Sequence, residues 1–527
     1  MDTVVKAKEI DPPTTTGHLA TAAGVSKKKL EDIDEAPKKH FPTGVMAGDA
    51  ETEGSPAASS RAVLWTRYTG GKQLSVRVLE THPKPGRRPP GIAKDQVVEV
   101  KDGFVHFEAR GLTPGARYEY VFLEKSAGGK EARSPVGHFR APIRPNARKP
   151  VVFGGTSCTF PLDERLKMAN RNLQHAASKR RKLSFFVHLG DQLYCDAPKE
   201  KPAATLPAFR AKYRHAFSRP GIHAMHKAFG MYTTWDDHEV FNGWQGDLDT
   251  EGKHDVNDVI KKKSNIQQII DWGEQSFYQH QPIRKPNREQ RKLWRRFRWG
   301  ETLELFILDC RAERDNKNGR YISAEQEEAL IKFLTDPNGA VFKFVLNSRP
   351  IGYLGKRRPA TFPPKKKPEP KEDYSWTHPS VVEQRERILA AARMSHGVWW
   401  LSGDLHFGAI GWVDPGKPKP GEKRVGEIMM GPGGQWASKP GTEKRKLKKE
   451  FIRKLGDKKH MTFATLKSNY VVIHVNPAKK AKDATLDIYF HHKTRKGAKV
   501  LHHEKRSYTG RVLKKPGASQ NQGGSQG

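Results

Sequence analysis

The sequence predicts an α/β catalytic body preceded by a smaller all-β sandwich, and three observations predict it. From Phe41 to about Ile143 the chain runs in short alternating stretches such as RAVLWTRY, LSVRVLE and ARYEYVFLEK, separated by Gly, Pro and charged turns. Beyond that, strongly apolar β-type runs (VVFGG, LSFFVHLGD, MYTTWDDH, LELFILD, VFKFVLNS, HGVWWLSGD) alternate with helix-like segments. Several of these apolar runs stop at a cluster of Asp, His or Tyr, where layered α/β folds build their sites.

Taken in order, residues 1–40 mix Lys, Asp, Pro and Thr without sustained periodicity, apart from a possible short helix near Val25 to Ile33. They read as a flexible arm with no core. Residues 41–145 form the sandwich. Within it GLTPGARYEYVF places Leu112, Pro114, Tyr118 and Tyr120 in the pattern of the tyrosine corner of fibronectin-like sandwiches, where a hydroxyl ties a strand to a crossing loop. Residues 149–510 form the catalytic domain. Its apolar runs suit central strands whose two faces are covered by helices or by a second sheet. YVVIHVN and TLDIYFHH close it, and 511–527 read as a disordered tail.

The chain of 527 residues carries a net charge of +37, so its surface attracts polyanions: phosphorylated substrates, nucleic acid or an anionic surface. Lysine-rich inserts at 356–374 and 439–460 are the places where such binding would concentrate. Three cysteines, Cys158, Cys195 and Cys310, are too few for a disulfide framework. No run of about 18 apolar residues argues for a membrane span. The N-terminus has no apolar export core and no twin-arginine pair, so a cytoplasmic location is expected from sequence.

Three strand ends carry the chemistry. FFVHLGDQLYCD presents Asp191 just after Gly190, with Tyr194 three residues on; a carboxylate there can bridge two metal ions. MYTTWDDHEVFNGW sets Asp236, Asp237 and His238 in a row with Asn242 following, and burying such groups unpaired costs several kcal/mol each unless a metal or substrate offsets it. VWWLSGDLH ends in Asp404 and His406, two apart on an extended backbone and therefore pointing the same way. LDCRAERD adds Arg311 and Arg314, of which Arg311 is the expected phosphate clamp, since a planar guanidinium holds two oxygens at once. Asn347 is a weaker strand-end candidate for the phosphate site.

The ordered set GTSC, HLGDQLYCD, WDDHEVFNGW, LDCRAER and SGDLH resembles the alkaline phosphatase D (PhoD-like) family of calcineurin-like metallophosphoesterases, and FPTGVMAGD and VLWTR resemble that family's opening domain. The resemblance implies a four-layer α/β fold, two sheets flanked by helices, behind the N-terminal sandwich. It implies Fe(III) and Ca²⁺ as cofactors, with Cys158 and Tyr194 among the iron ligands, Asp191 bridging, and Asp404 and His406 as the terminal ligand motif. A thiolate and a phenolate favour a highly charged ion, while Asp237 and Asn242 offer the oxygens calcium prefers. Which of Asp236 and Asp237 meets metal stays open at this stage.

The expected reaction is in-line hydrolysis of an anionic phosphate ester by metal-activated water, whose pKa falls from about 16 towards about 7. Arg311 would stabilise phosphoryl charge and His238 would protonate the departing alkoxide. The competing reading is a basic nucleic-acid- or envelope-binding protein built on an inactive copy of the same fold.

Overall fold

The computed structural model describes residues 30, 33–53, 59–81, 95–125, 129–160, 162–198, 200–246, 260, 265–315, 318–352, 376–414, 418–435 and 461–513. Both lysine-rich inserts, most of the N-terminal arm and its expected helix, and residues 514–527 lie outside this set.

Two sheets dominate the described residues. One has the strand order Gly497–Ser507, Thr485–Thr494, Tyr470–Asn476, Val151–Thr156, Phe185–Leu189, Gly230–Thr234, Val45–Glu53, Ser59–Arg67, Phe104–Leu112. The other runs Arg295–Trp299, Leu303–Ile307, Phe342–Asn347, Val398–Ser402, Gly426–Met429, Gly408–Trp412, Met461–Thr465. Their inner faces share one apolar core in which Phe153, Phe185 and Leu189 meet Leu305, Phe344 and Leu401. Helices Asp163–Ser178, Leu206–Phe217 and Pro220–Ala228 cover the outside of the first sheet, and Ala324–Thr335 and Val382–Ala392 cover the second. The result is four layers, helix on sheet on sheet on helix. It explains why these strands are apolar along their whole length instead of alternating.

The central strands of both sheets run parallel: Val151–Thr156 beside Phe185–Leu189 beside Gly230–Thr234, and Leu303–Ile307 beside Phe342–Asn347 beside Val398–Ser402. Their carboxyl ends therefore fall on one rim. The predicted clusters at Cys158, Asp191, Asp236, Asp309 and Asp404 all follow one of those ends.

The N-terminal region differs from expectation in two ways. Its strands do not close on themselves: Val45–Glu53 pairs in parallel with Gly230–Thr234 through Ala47↔Gly230, so three strands of the sandwich prolong the catalytic sheet. A second, smaller sheet containing Gln73–Glu80 and Arg117–Lys125 covers them, with Val45, Leu64 and Val105 packed against Val76, Tyr118 and Phe122. The arm also has a core of its own. Leu30 and Ile33 are buried against Val121 and Leu123, and Glu35 forms a β-bridge with Arg133. Two well-placed apolar side chains anchor a segment whose composition reads as polar. The tyrosine corner is present as expected: the Tyr118 hydroxyl accepts the Thr113 N–H at 2.6 Å.

Candidate active site

Four residues of the site hold a backbone conformation that side chains with a Cβ seldom adopt. Cys158, Asp191, Asp404 and His406 have φ of 52°, 56°, 62° and 55°. Each such residue costs on the order of 1 kcal/mol, and the strain persists because the loops are pinned on both sides. Cys158 N–H donates to the Gly190 carbonyl at 3.2 Å and Thr159 N–H to that of Asp191 at 2.8 Å, which ties the first two strand ends together. Gly403 N–H donates to Ser348 O at 3.0 Å, which ties the Val398–Ser402 end to its neighbour Phe342–Asn347 in the second sheet. Two glycines make this approach possible. A Cβ on Gly190 would lie 2.6 Å from the Asp236 nitrogen, and one on Gly403 would lie 2.9 Å from the Ser157 Cβ.

The strand ends so joined bring two donor groups together around one carboxylate. Ligand atoms of Cys158, Asp191 and His406 lie within 4.8 Å of one another, and so do those of Asp191, Asp237 and His238. Asp191 belongs to both. Tyr194 completes the first group: its hydroxyl donates to Asp191 Oδ2 at 3.0 Å and lies 3.3 Å from His406 Nε2. Asp237 faces the centre, whereas Asp236 Oδ1 lies 2.7 Å from Arg311 Nε.

Other predicted residues stand elsewhere. Arg311 is 1 % exposed, donates to Asp236 and to the Trp244 carbonyl, and reaches Asp237 at 3.6 Å. Its guanidinium thus lies against the acidic pair Asp236 and Asp237. Burying a lone Asp236 would be costly, and the guanidinium offsets that charge. The Asp404 carboxylate lies 3.1 Å from Arg349 Nε, and the Asp404 carbonyl is 3.9 Å from the Cys158 thiol sulfur. Asn242 is placed through its main chain, whose N–H donates to Asp196 Oδ2 at 3.0 Å. Asn347 is fully buried and accepts from the Cys310 thiol, a structural contact. Arg314 donates to Gln245 and stacks on the Tyr321 ring at 3.9 Å.

Two residues of consequence went unassigned from sequence. Asp196 Oδ1 lies 2.8 Å from His238 Nδ1 and fixes that ring, leaving Nε2 as its available atom. Glu239 accepts main-chain N–H groups of Asp191, Gln192 and Asp236 at 3.0, 2.7 and 2.9 Å, so one carboxylate holds two strand ends in register. Both stand inside quoted motifs, DQLYCD and DDHE; their partners are distant in sequence, which is why their roles were not legible.

The electrostatics fit a cation-holding site. Burial pushes Asp191 well above the usual carboxylate range, against the pull of His238 and with Asp236 and Asp237 adding to the rise. Burial likewise raises the Cys158 thiol and the Tyr194 hydroxyl, and Asp191 contributes to both. Asp236 is pushed up to about 7 by burial despite Arg311. Burial would lower His238, but Asp196, Asp237 and Asp191 outweigh it and hold the imidazole well above its ordinary value. Asp191 Oδ1 is buried with no hydrogen-bond partner among the described residues. Crowded acidic donors and an orphaned buried carboxylate oxygen are what metal ions neutralise. The two donor groups, which share Asp191, therefore fit metal ions.

Comparison with known proteins agrees with this geometry. Residues 167–484 match the family model described as PhoD-like phosphatase, and 26–142 match the N-terminal domain of PhoD-like phosphatases. The chain is 28 % identical to alkaline phosphatase D of Bacillus subtilis (strain 168) over 307 residues, 53 % of this chain and 48 % of that protein. It thus aligns with about half the length of that relative. A solved structure of PhoD superposes with a TM-score of 0.67 at 22 % identity, covering 92 % of this chain and 94 % of that one. Purple acid phosphatase PPD1 from yellow lupin (Lupinus luteus) seeds superposes with a TM-score of 0.53 at 12 % identity, covering 88 % and 74 %. These two show a shared metallophosphoesterase fold. The family model spans more than half of the chain, and the chain belongs to the PhoD-like phosphatase family.

Proposed function

We propose that this chain hydrolyses phosphate esters, diesters in preference to monoesters, at the rim where Asp191 is shared by two donor groups. That sharing is the observation that carries the reading, because two ions bridged by one carboxylate form the arrangement suited to in-line displacement at phosphorus. Cys158, Tyr194, Asp191 and His406 would hold one metal, and Asp191 and Asp237 with Asn242 the other, His238 of that donor group being kept as the proton donor. We assign Fe(III) to the first and Ca²⁺ to the second: a buried thiol and phenol whose pKa values are raised need a highly charged cation to ionise, and calcium takes carboxylate and amide oxygens. When bound, such a pair supplies a nucleophile near neutral pH and stabilises phosphoryl charge.

The chain's own residues supply the rest. His238, held at Nδ1 by Asp196 and kept protonated by surrounding carboxylates, offers a proton at Nε2 to the leaving oxygen. Arg311 positions Asp237 by holding its neighbour Asp236. Arg349, paired with Asp404 close to His406, supplies positive charge on the same rim.

The experiment is a comparison of turnover on bis(p-nitrophenyl) phosphate and on p-nitrophenyl phosphate, with metal content and visible absorption measured on the same preparation. Diester preference and a visible band lost in Tyr194→Phe support the reading. A clear monoester preference overturns the substrate assignment, and an unchanged band overturns the iron assignment.

A further inference from the structure

The outer face of the first sheet, at its Gly497–Ser507 edge, carries a ladder of flat rings that the hydrolytic site does not use. In the strand Thr485–Thr494 the inward residues Leu486, Ile488 and Phe490 belong to the core between the sheets. Asp487, Tyr489 and His491 consequently face outward. Cross-strand register places Tyr470 beside His491 beside Val500, and Val472 beside Tyr489 beside His503. The rings lie nearly parallel. Tyr489 and His503 stack at 4.2 Å and 4°, Tyr470 and His491 at 5.1 Å and 15°, and Tyr489 and His491 at 6.2 Å and 25°.

One end of the ladder is closed and the other is open. Helix Asp163–Ser178 covers Tyr470, whose hydroxyl meets His175 Nδ1 at 2.8 Å. Tyr489 and His503 are only partly covered, His474 beside them is exposed, and Val500 on the edge strand is 51 % exposed. Cations surround the platform. Lys179 acts on both His175 and His491, and Lys493 on His175. The one carboxylate in the outward row, Asp487, is held by His503 Nε2 at 3.1 Å and by Lys505 at 3.8 Å.

We propose that this face binds single-stranded nucleic acid, with bases stacking on the Tyr489–His503 end of the ladder and the phosphates lying along the flanking lysines. Stacked flat side chains beside a basic rim are the recurring means of holding single strands without sequence preference, because every base has a π-face. Charge alone would hold any polyanion equally. The open rings select polymers that carry planar bases over polyol phosphates or lipid headgroups.

The test is fluorescence anisotropy on the full metal-loaded chain, using a labelled oligo-dT 12-mer and an abasic 12-mer with the same number of phosphates, each checked for intact length afterwards. Wild type is expected to bind oligo-dT about tenfold or more tightly than the abasic strand. Tyr489→Ala with His503→Ala should erase that difference while keeping p-nitrophenyl ester turnover, which shows the fold intact and separates this face from the catalytic site. Equal wild-type affinity for both strands, or a base preference that survives in the double variant, overturns the proposal. Should the double variant fold poorly, Tyr489→Leu and His503→Gln, which keep the bulk and lose the ring, are read by the same criterion.

Discussion

His238 Nδ1 lies 2.8 Å from Asp196 Oδ1, and the other oxygen of that carboxylate accepts the Asn242 N–H at 3.0 Å. One side chain thus orients the His238 imidazole and the loop that carries Asn242. Asp196→Asn should lower kcat on a phosphodiester by roughly 10–100-fold, as losing a partner of a site histidine typically does. The loss should be larger for a poor leaving group than for p-nitrophenolate, since only the former needs the proton. Steady-state turnover of two diesters differing in leaving group checks this; an equal loss on both would assign Asp196 a purely structural role.

Glu239 makes its three main-chain hydrogen bonds inside the protein, where an unmade bond costs about 1–3 kcal/mol. Glu239→Gln replaces one accepting oxygen with a donor facing an N–H. Thermal unfolding should show a loss of at least about 1 kcal/mol, and turnover should fall because Asp191 and Asp236 shift with their backbone. A variant as stable and active as wild type would contradict the cradle.

Arg311 distinguishes two accounts of one residue. As the buried partner of Asp236, its replacement in Arg311→Met should destabilise the fold by roughly 3–5 kcal/mol, and adding Asp236→Asn should recover part of that loss. Chemical denaturation measures both. A phosphate clamp would instead raise KM and leave stability unchanged.

His226 bears on acid stability. It is buried, and neither ring nitrogen has a hydrogen-bond partner among the described residues. Burial holds its pKa well below the ordinary 6.5, with His188 and His223 adding to the effect. The unfolded chain takes up this proton near 6.5 and the folded chain only far below. Stability present above about pH 6.5 is therefore lost as pH falls beneath it, by up to about 1.4 kcal/mol per unit for one such group. His226→Leu should raise the melting temperature more at pH 5 than at pH 8. An equal change at both pH values would show that this residue does not titrate on unfolding.

Sequence patterning exposed the layers and the rim because both follow from local rules. Fully apolar runs mark strands covered on both faces, and polar clusters at their ends mark a site. Asp191, the run Asp236 to His238, Asp404 and His406 stand out on that ground, and Cys158 and Tyr194 through the family's motifs; the fold brings donor atoms of Cys158, Asp191, Asp237, His238 and His406 together. What remained hidden depends on contacts between distant segments. Ala47 pairs with Gly230, so the sandwich shares its sheet with the catalytic body, and no run of residues announces that pairing. Arg311 and Asp404 carry suitable chemistry, and their pairing with Asp236 and Arg349 is set by the fold and not by spacing. Leu30 and Ile33 are too few to give a periodicity, although two buried side chains suffice to anchor the arm.

We propose that one carboxylate, Asp191, shared by two donor groups, organises a metal-dependent phosphoesterase. Turnover of bis(p-nitrophenyl) phosphate by Asp191→Asn, with bound metal quantified on the same sample, tests it most directly. The wild type should be metal-loaded and active, and the folded variant should have lost metal and at least about a thousandfold in turnover. A folded Asp191→Asn variant that turns over the diester at the wild-type rate would contradict it.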